Sequence, residues 1–394
     1  MSVLFSPGKI GELETKNRFV RSATFEGMAS SKGVVTDQLA HMYSTLAKGG
    51  AGLIITGHMS VQPSGRAHVN QTGIHSDDLV PGLKRMAQAV HEQDGRIVFQ
   101  LSHAGRQTNK DACGRTPMGP SSGGLDPAYL VRPKEMSQGD IHDVIESFGA
   151  AARRATEAGA DGVQIHGAHG YLVNQFLSPF FNRRKDRWGG SDENRFRFLD
   201  EVLARIKQSL PQGTPTLIKL NANDHTPKPG ITPKLAKHYA RRLVGAGIDA
   251  VEISSGTASF SFMNCCRGDV PVRELVDGVS MWMRPIARIM LGRLVGKFDL
   301  EEAYHLESAK VLKPALRGIP IILVGGMRRV SAMEEALENG YADFISMSRP
   351  FISEPFLVNK IKDGKTDRAR CVSCNKCLAA VRTQLPILCY RQQG

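Results

Sequence analysis

The sequence predicts a (β/α)8 TIM barrel, an α/β fold, and three observations carry that prediction. Eight short β-branched runs recur along the 394 residues, and stretches with helical spacing lie between them. Helical stretches end in glycine-bearing turns such as Lys48-Gly-Gly-Ala and Glu338-Asn-Gly-Tyr-Ala-Asp, with the next strand a few residues on. None of the apolar runs leads into GxGxxG, as the opening strand of a doubly wound dinucleotide-binding sheet would.

In chain order the expected strands are Arg18–Arg21, Gly52–Thr56, Arg96–Leu101, Gly162–His166, Thr216–Leu220, Ala250–Ser254, Pro320–Val324 and Asp343–Met347. The helical spacing covers Asp37–Lys48, Pro81–Gln93, Ile141–Ala158, Glu193–Ser209, Pro233–Ala246 and Val330–Glu338. Two segments interrupt the rhythm. Ser102–Gly139 is rich in Gly, Pro and Ser, and Ser255–Gly318 carries Met281-Trp-Met and a helix expected near Glu301–Lys313. They are loop insertions after strands 3 and 6, on the barrel's C-terminal face, where active sites of this fold are built. The expected division is a barrel over residues 1–362 and a short cysteine-bearing tail over 363–394, too short for a further nucleotide-binding domain.

Lys and Arg number 51 against 38 Asp and Glu, a formal charge of +13. The basic residues are spread along the chain, and aromatics are only 6%. That spread argues against nucleic acid and for an anionic small molecule. No apolar run reaches the ~18 residues of a membrane span. The first residues lack the basic start and apolar core of a secretion signal, so the expected compartment is the cytoplasm and no membrane contact is expected.

The fourth strand runs into His166-Gly-Ala-His169-Gly-Tyr171. Two imidazoles can donate hydrogen bonds to an oxygen that gains charge, and a phenol can deliver a proton to carbon. This points to carbonyl chemistry; a metal site and plain core histidines are the alternatives. The third strand carries Gln100, whose amide could meet a planar heterocycle in two directions. The fifth carries Lys219 in an apolar context, either beneath an anionic ring or in an ion pair with Glu252. The seventh and eighth strands run into Gly325-Gly326 and Ser348-Arg349, the position of a phosphate site in this fold. A ligand with a phosphate and a flat polar ring, beneath a carbonyl substrate, follows from these residues.

At these residues the chain resembles the old yellow enzyme family of NADH:flavin oxidoreductases, the FMN-dependent ene-reductases. The likeness spans Lys16-Asn-Arg18, Gln100-Leu-Ser-His-Ala-Gly-Arg106, the strand end at His166, and Asn182-Arg-Arg-Lys-Asp-Arg-Trp-Gly-Gly-Ser-Asp-Glu-Asn-Arg195. The resemblance implies FMN, with Ala23, Thr24, Phe25 and His58 lining the ring. Gln100 and Lys219 would meet the ring's pyrimidine edge, and Gly325, Gly326, Ser348 and Arg349 would hold the phosphate. His166 and His169 would hold the carbonyl oxygen of an α,β-unsaturated substrate while Tyr171 protonates the α-carbon. NAD(P)H would be the electron donor. Two positions depart from the family: lysine at 219 replaces the usual arginine fork, and Phe25 replaces a small polar or thiol side chain.

Four of the seven cysteines, Cys371, Cys374, Cys377 and Cys389, crowd the tail as C-x2-C-x2-C-x11-C. The run resembles the [4Fe–4S] motif of the 2,4-dienoyl-CoA reductase branch, one residue short between the second and third cysteines. A cluster, a zinc site and free thiols remain open. A cluster in a chain lacking a pyridine-nucleotide domain would call for an electron-transfer partner. The alternatives to ene-reduction are a dienoyl-CoA reductase-like or amine- or ether-cleaving flavoenzyme and a non-redox phosphate-binding barrel. NADH against NADPH, the substrate and homo-oligomerisation are not legible in the sequence.

Overall fold

The structure, a computed structural model, describes residues 2–383 and 385–393; Gln384 and Gly394 of the expected tail lie outside the described residues. The strands are β1 (Phe19–Arg21), β2 (Leu53–Ile55), β3 (Ile97–Ser102), β4 (Gly162–Gly167), β5 (Thr216–Asn221), β6 (Ala250–Ser254), β7 (Ile321–Val324) and β8 (Phe344–Met347). Each pairs in parallel with the next, and β8 pairs with β1. The result is the closed eight-stranded barrel that the alternation predicts. Helices α1 (Asp37–Lys48), α2 (Val80–His91), α3 (Gln138–Glu157), α4 (Asp192–Ser209), α5 (Pro233–Gly245), α6 (Leu306–Leu312), α7 (Val330–Glu338) and α8 (Leu357–Lys362) follow the strands in turn.

Local chemistry sets the helix starts. Thr36, Ser191 and Thr232 each accept a backbone N–H from the first turn of their helix. Ser137 and Asp140 form a reciprocal capping box. Pro233 opens α5, where the lost N–H would be unpartnered in any case.

Two apolar layers hold the barrel. Val20, Leu53, Ile55, Val98, Leu217, Ala250, Ile322 and Phe344 form one cluster on the strands. A larger one lies between strands and helices, with Phe148, Phe176, Phe198 and Trp188 fully buried. An antiparallel hairpin, Gly8–Ile10 with Leu13–Thr15, adds Ile10 to the strand cluster. Gly8 is obligatory there, because a Cβ would lie 2.5 Å from the Phe344 ring.

Both insertions stand where expected. Ser259 Oγ of the second donates to Asp126 of the first at 2.9 Å, and Asp126 pairs with Arg106 at 3.1 Å. The helix expected near Glu301–Lys313 is shorter at its start: α6 covers only Leu306–Leu312, and turns with Ala303 at a left-handed φ of 50° precede it. The tail returns across the barrel. Val330 N–H donates to Asp367 O, Arg370 N–H to Glu354, and Ile387 N–H to Glu26 O. Among the described residues no helix is long and apolar enough to cross a membrane.

Candidate active site

Strand register brings the chemistry together. β4 and β5 align His166 with Lys219, β5 and β6 align Lys219 with Glu252, and β3 and β4 align Gln100 with Gln164. The strand ends and their loops surround one cavity of about 520 Å³, within the usual range for a cofactor site. Ala23, Thr24, Phe25, His58, Gln100 and Lys219 line it. So do Gly325, Gly326, Ser348, Arg349, His166, His169 and Tyr171.

One wall carries aromatic nitrogen and phenol groups. The His166 ring lies 5.1 Å from that of His169 and 4.7 Å from that of Tyr171. His58 adds contacts at 5.7 Å to His166 and 4.9 Å to Tyr171. Burial holds His58 down to about 3, with a smaller push from His68. Burial also keeps His166 well below the usual imidazole range, aided by His169, His58 and Lys219. His169 is held well below it by burial and then by Lys219, His305 and His58. All three rings are therefore neutral near pH 7, each with one N–H to donate. His169 Nε2 is taken by Ser254 Oγ at 2.7 Å. His166 Nδ1 is buried with no partner in the protein, as expected of an atom waiting for a ligand. His169 adopts a left-handed backbone, φ 60°, held by bonds to Asn221, Gln107 and Ala258.

The floor is a buried polar net. Lys219 Nζ lies 2.9 Å from Glu252 Oε2 and donates to Ser22 Oγ at 2.9 Å. Glu252 Oε1 accepts from Ser22 Oγ at 2.6 Å and Ser346 Oγ at 2.9 Å. Burial opposes ionisation of Glu252, but Lys219 and the hydrogen bonds outweigh it and hold the carboxyl below its ordinary range. Lys219 makes the ion pair with Glu252 that the sequence left open, and it lines the cavity. One N–H of the Gln100 amide donates to Gln164 Oε1 at 2.6 Å, which leaves its oxygen and its second N–H for a ring.

The far end fits a phosphate. Gly325 and Gly326 have φ of 115° and 73°. A Cβ on the first would lie 2.7 Å from the Tyr304 ring, and on the second 2.2 Å from Glu301 O. Only glycine keeps this cradle open. The Arg349 guanidinium lines the cavity beside it and donates to Asn375 Oδ1 at 2.6 Å and Arg267 O at 2.8 Å. A glycine cradle with a buried cation, a polar floor and an unpartnered imidazole nitrogen match FMN's phosphate, ring and overlying substrate.

Arg349 also lines a second cavity of about 150 Å³, and so do Cys371, Cys374, Cys377 and Cys389. Burial pushes the Cys377 thiol up to about 12 against the pull of Arg349. The described cysteines are all free, and among the described residues no three His, Cys, Asp or Glu side chains converge on one metal-sized point. Sequence reasoning missed Tyr304, Cys265 and Cys266 in the cavity wall. They sit in the insertion after β6, where no periodicity says which residues turn inward.

Comparison with known proteins identifies the family. Residues 3–241 and 281–368 match the NADH:flavin oxidoreductase / NADH oxidase family. The chain is 31% identical, over 96% of its length and 93% of the relative's, to a 4,4'-dithiodibutanoate disulfide reductase of Rhodococcus erythropolis. It superposes on 2-naphthoyl-CoA reductase in complex with 2-naphthoyl-CoA with a TM-score of 0.85 at 26% identity. That match covers 98% of this chain but only 56% of the other. An old yellow enzyme homologue from Zymomonas mobilis matches with a TM-score of 0.73 at 25% identity, over 94% of this chain and 95% of its own. The chain belongs to the NADH:flavin oxidoreductase / NADH oxidase family and is an FMN-dependent oxidoreductase that uses NAD(P)H.

Proposed function

We propose that this chain reduces the C=C bond of α,β-unsaturated carbonyl compounds. The observation that carries the reading is the His166–His169 pair beside Tyr171 on one wall of the cavity. Lys219 and the Gly325–Gly326 cradle would hold FMN, which would supply the two-electron transfer from NAD(P)H to the substrate. The protein's residues do the rest. His166 and His169 each donate one N–H to the substrate's carbonyl oxygen and so draw electron density away from the β-carbon. His169 does so through Nδ1, since Ser254 occupies Nε2. Tyr171 precedes the short helix Leu172–Leu177 and is mostly buried beside His166, and its phenol is the proton donor to the α-carbon in this reading. Ala128 and Tyr129 of the first insertion line the same cavity and help exclude water.

Anaerobic stopped-flow kinetics test the assignment. In Tyr171→Phe, flavin reduction by NAD(P)H stays near the wild-type rate, while substrate reduction falls by about 10²-fold or more. Equal slowing of both halves would remove Tyr171 from the proton step.

A second reading concerns the tail. Four thiols stand around a space of about 150 Å³ instead of converging on a point. That favours a [4Fe–4S] cluster over a zinc ion with Zn–S bonds of about 2.3 Å. Such a cluster would place the chain near dienoyl-CoA reductase-like or amine- or ether-cleaving flavoenzymes and give it an electron-transfer partner. Iron and sulfide assays on anaerobically purified protein decide it: about four irons per chain, lost in Cys377→Ser, support the cluster. Iron-free protein with bound zinc or no metal rejects it. Free cysteines throughout the described residues suit a reducing cytoplasm.

A further inference from the structure

We propose that Glu252 is a positioning residue that sets the redox potential of the bound flavin by neutralising Lys219. The proposal rests on the reading that FMN's ring lies over Lys219 and Gln100. Lys219 lines the cavity, and Glu252 stands behind it. Their side chains are 3% and 0% exposed, with Nζ and Oε2 at 2.9 Å. Four hydrogen bonds fix the carboxylate, from Lys219, Gln164, Ser22 and Ser346. Each carboxylate oxygen holds two of these partners, Ser22 and Ser346 on Oε1, Lys219 and Gln164 on Oε2.

Charge arithmetic follows. A flavin ring gains negative charge as it takes up electrons, so a lone cation at its edge would favour reduction. A carboxylate within a few ångströms of that cation cancels most of its field in a water-poor site. Arg21, a buried cation that also feels Glu252, lies 3.8 Å from Glu26. The floor therefore presents a near-neutral pair, and the flavin is a stronger electron donor than Lys219 alone would allow. One compact ammonium is tied to one carboxylate, where a guanidinium fork would keep further N–H groups for the ring.

The test uses the FMN-loaded full chain and two readouts that a purely structural role would not move together. One is the flavin midpoint potential from dye equilibration. The other is the dissociation constant of sulfite, an anion that binds flavins better where the site favours negative charge. In Glu252→Gln, flavin reduction becomes more favourable by about tenfold, roughly 30 mV for a two-electron couple, and sulfite binds about tenfold tighter. In Lys219→Met, the unpaired Glu252 takes up a proton, and both readouts stay within about threefold of wild type.

Two results overturn the proposal: an unmoved potential in Glu252→Gln, or a tenfold less favourable reduction in Lys219→Met, which would mark Lys219 as an uncompensated cation. If Glu252→Gln is not recovered folded, Glu252→Asp draws the carboxylate away from Nζ. It must then shift both readouts in the same direction by about threefold; no shift overturns the proposal. A wild-type chain that takes up no FMN defeats the functional reading itself, whereas FMN-loaded variants with unmoved potentials defeat only this inference.

Discussion

Substituting His103 isolates one buried histidine's contribution to acid sensitivity. His103 follows β3 and is 1% exposed. Its Nδ1 accepts the Gly105 N–H at 3.0 Å, and its Nε2 has no partner. Burial lowers its pKa to about 3, with Arg115 adding to the effect. The unfolded chain titrates this group at about 6.5. As pH falls below that value the unfolded state takes up a proton that the folded state refuses until near pH 3. Stability is fully present above about pH 6.5 and is lost as pH falls toward 3. Between pH 7.5 and 5.0 the gap of about 1.5 pH units costs about 2 kcal/mol, at about 1.4 kcal/mol per unit. His103→Asn keeps an acceptor for Gly105 but does not titrate. Urea unfolding at both pH values should show the variant losing about 2 kcal/mol less than wild type. His58, His305 and the buried carboxyls act in both chains and cancel in the difference. Equal losses, within about 0.5 kcal/mol, would refute a neutral, proton-refusing His103.

Two further substitutions probe the ends of the cavity. Gly326→Ala puts a methyl 2.2 Å from Glu301 O on a left-handed backbone. Bound FMN, read from absorbance after gel filtration, should fall by about tenfold or more while helix content by circular dichroism is kept; full FMN occupancy would remove the cradle from phosphate binding. Asp126→Ala strips the partner from buried Arg106 and releases the backbone N–H groups of Ala128 and Tyr129. It should cost about 3–5 kcal/mol in urea unfolding and raise KM for the carbonyl substrate without loss of FMN; an unchanged KM would separate the first insertion from substrate binding.

The barrel was legible because its signals are local and repeated. Helix α1 begins at Asp37 and ends at Lys48 as its Thr36 cap and following glycines require. Strand β6 matches its expected bounds, and the others differ by a residue or so at their ends. The hairpin Gly8–Ile10 with Leu13–Thr15 escaped because three-residue strands are too short to show a period. The helix near Glu301 was expected too long at its start: Ala303 sits in a left-handed conformation, φ 50°, in the turns before α6, which the apolar spacing does not reveal.

The cavity was legible for a different reason. In a parallel barrel all strand C-termini meet at one face, so residues such as Gln100, His166 and Lys219 must be neighbours however far apart they lie in sequence. What spacing does not give is partnership, because a partner depends on register between strands. Gln164 looked like any strand polar residue, yet it joins Gln100 to Glu252 across β3, β4 and β6. Each of these side chains would destabilise the strand it interrupts if left alone. Their mutual satisfaction makes four unfavourable positions, Gln100, Gln164, Lys219 and Glu252, into one rigid floor. A site that must hold fixed charge against a changing ligand is where a chain tolerates such breaks in apolar pattern. The place where the strands stop reading as barrel core is therefore the place to look for the chemistry.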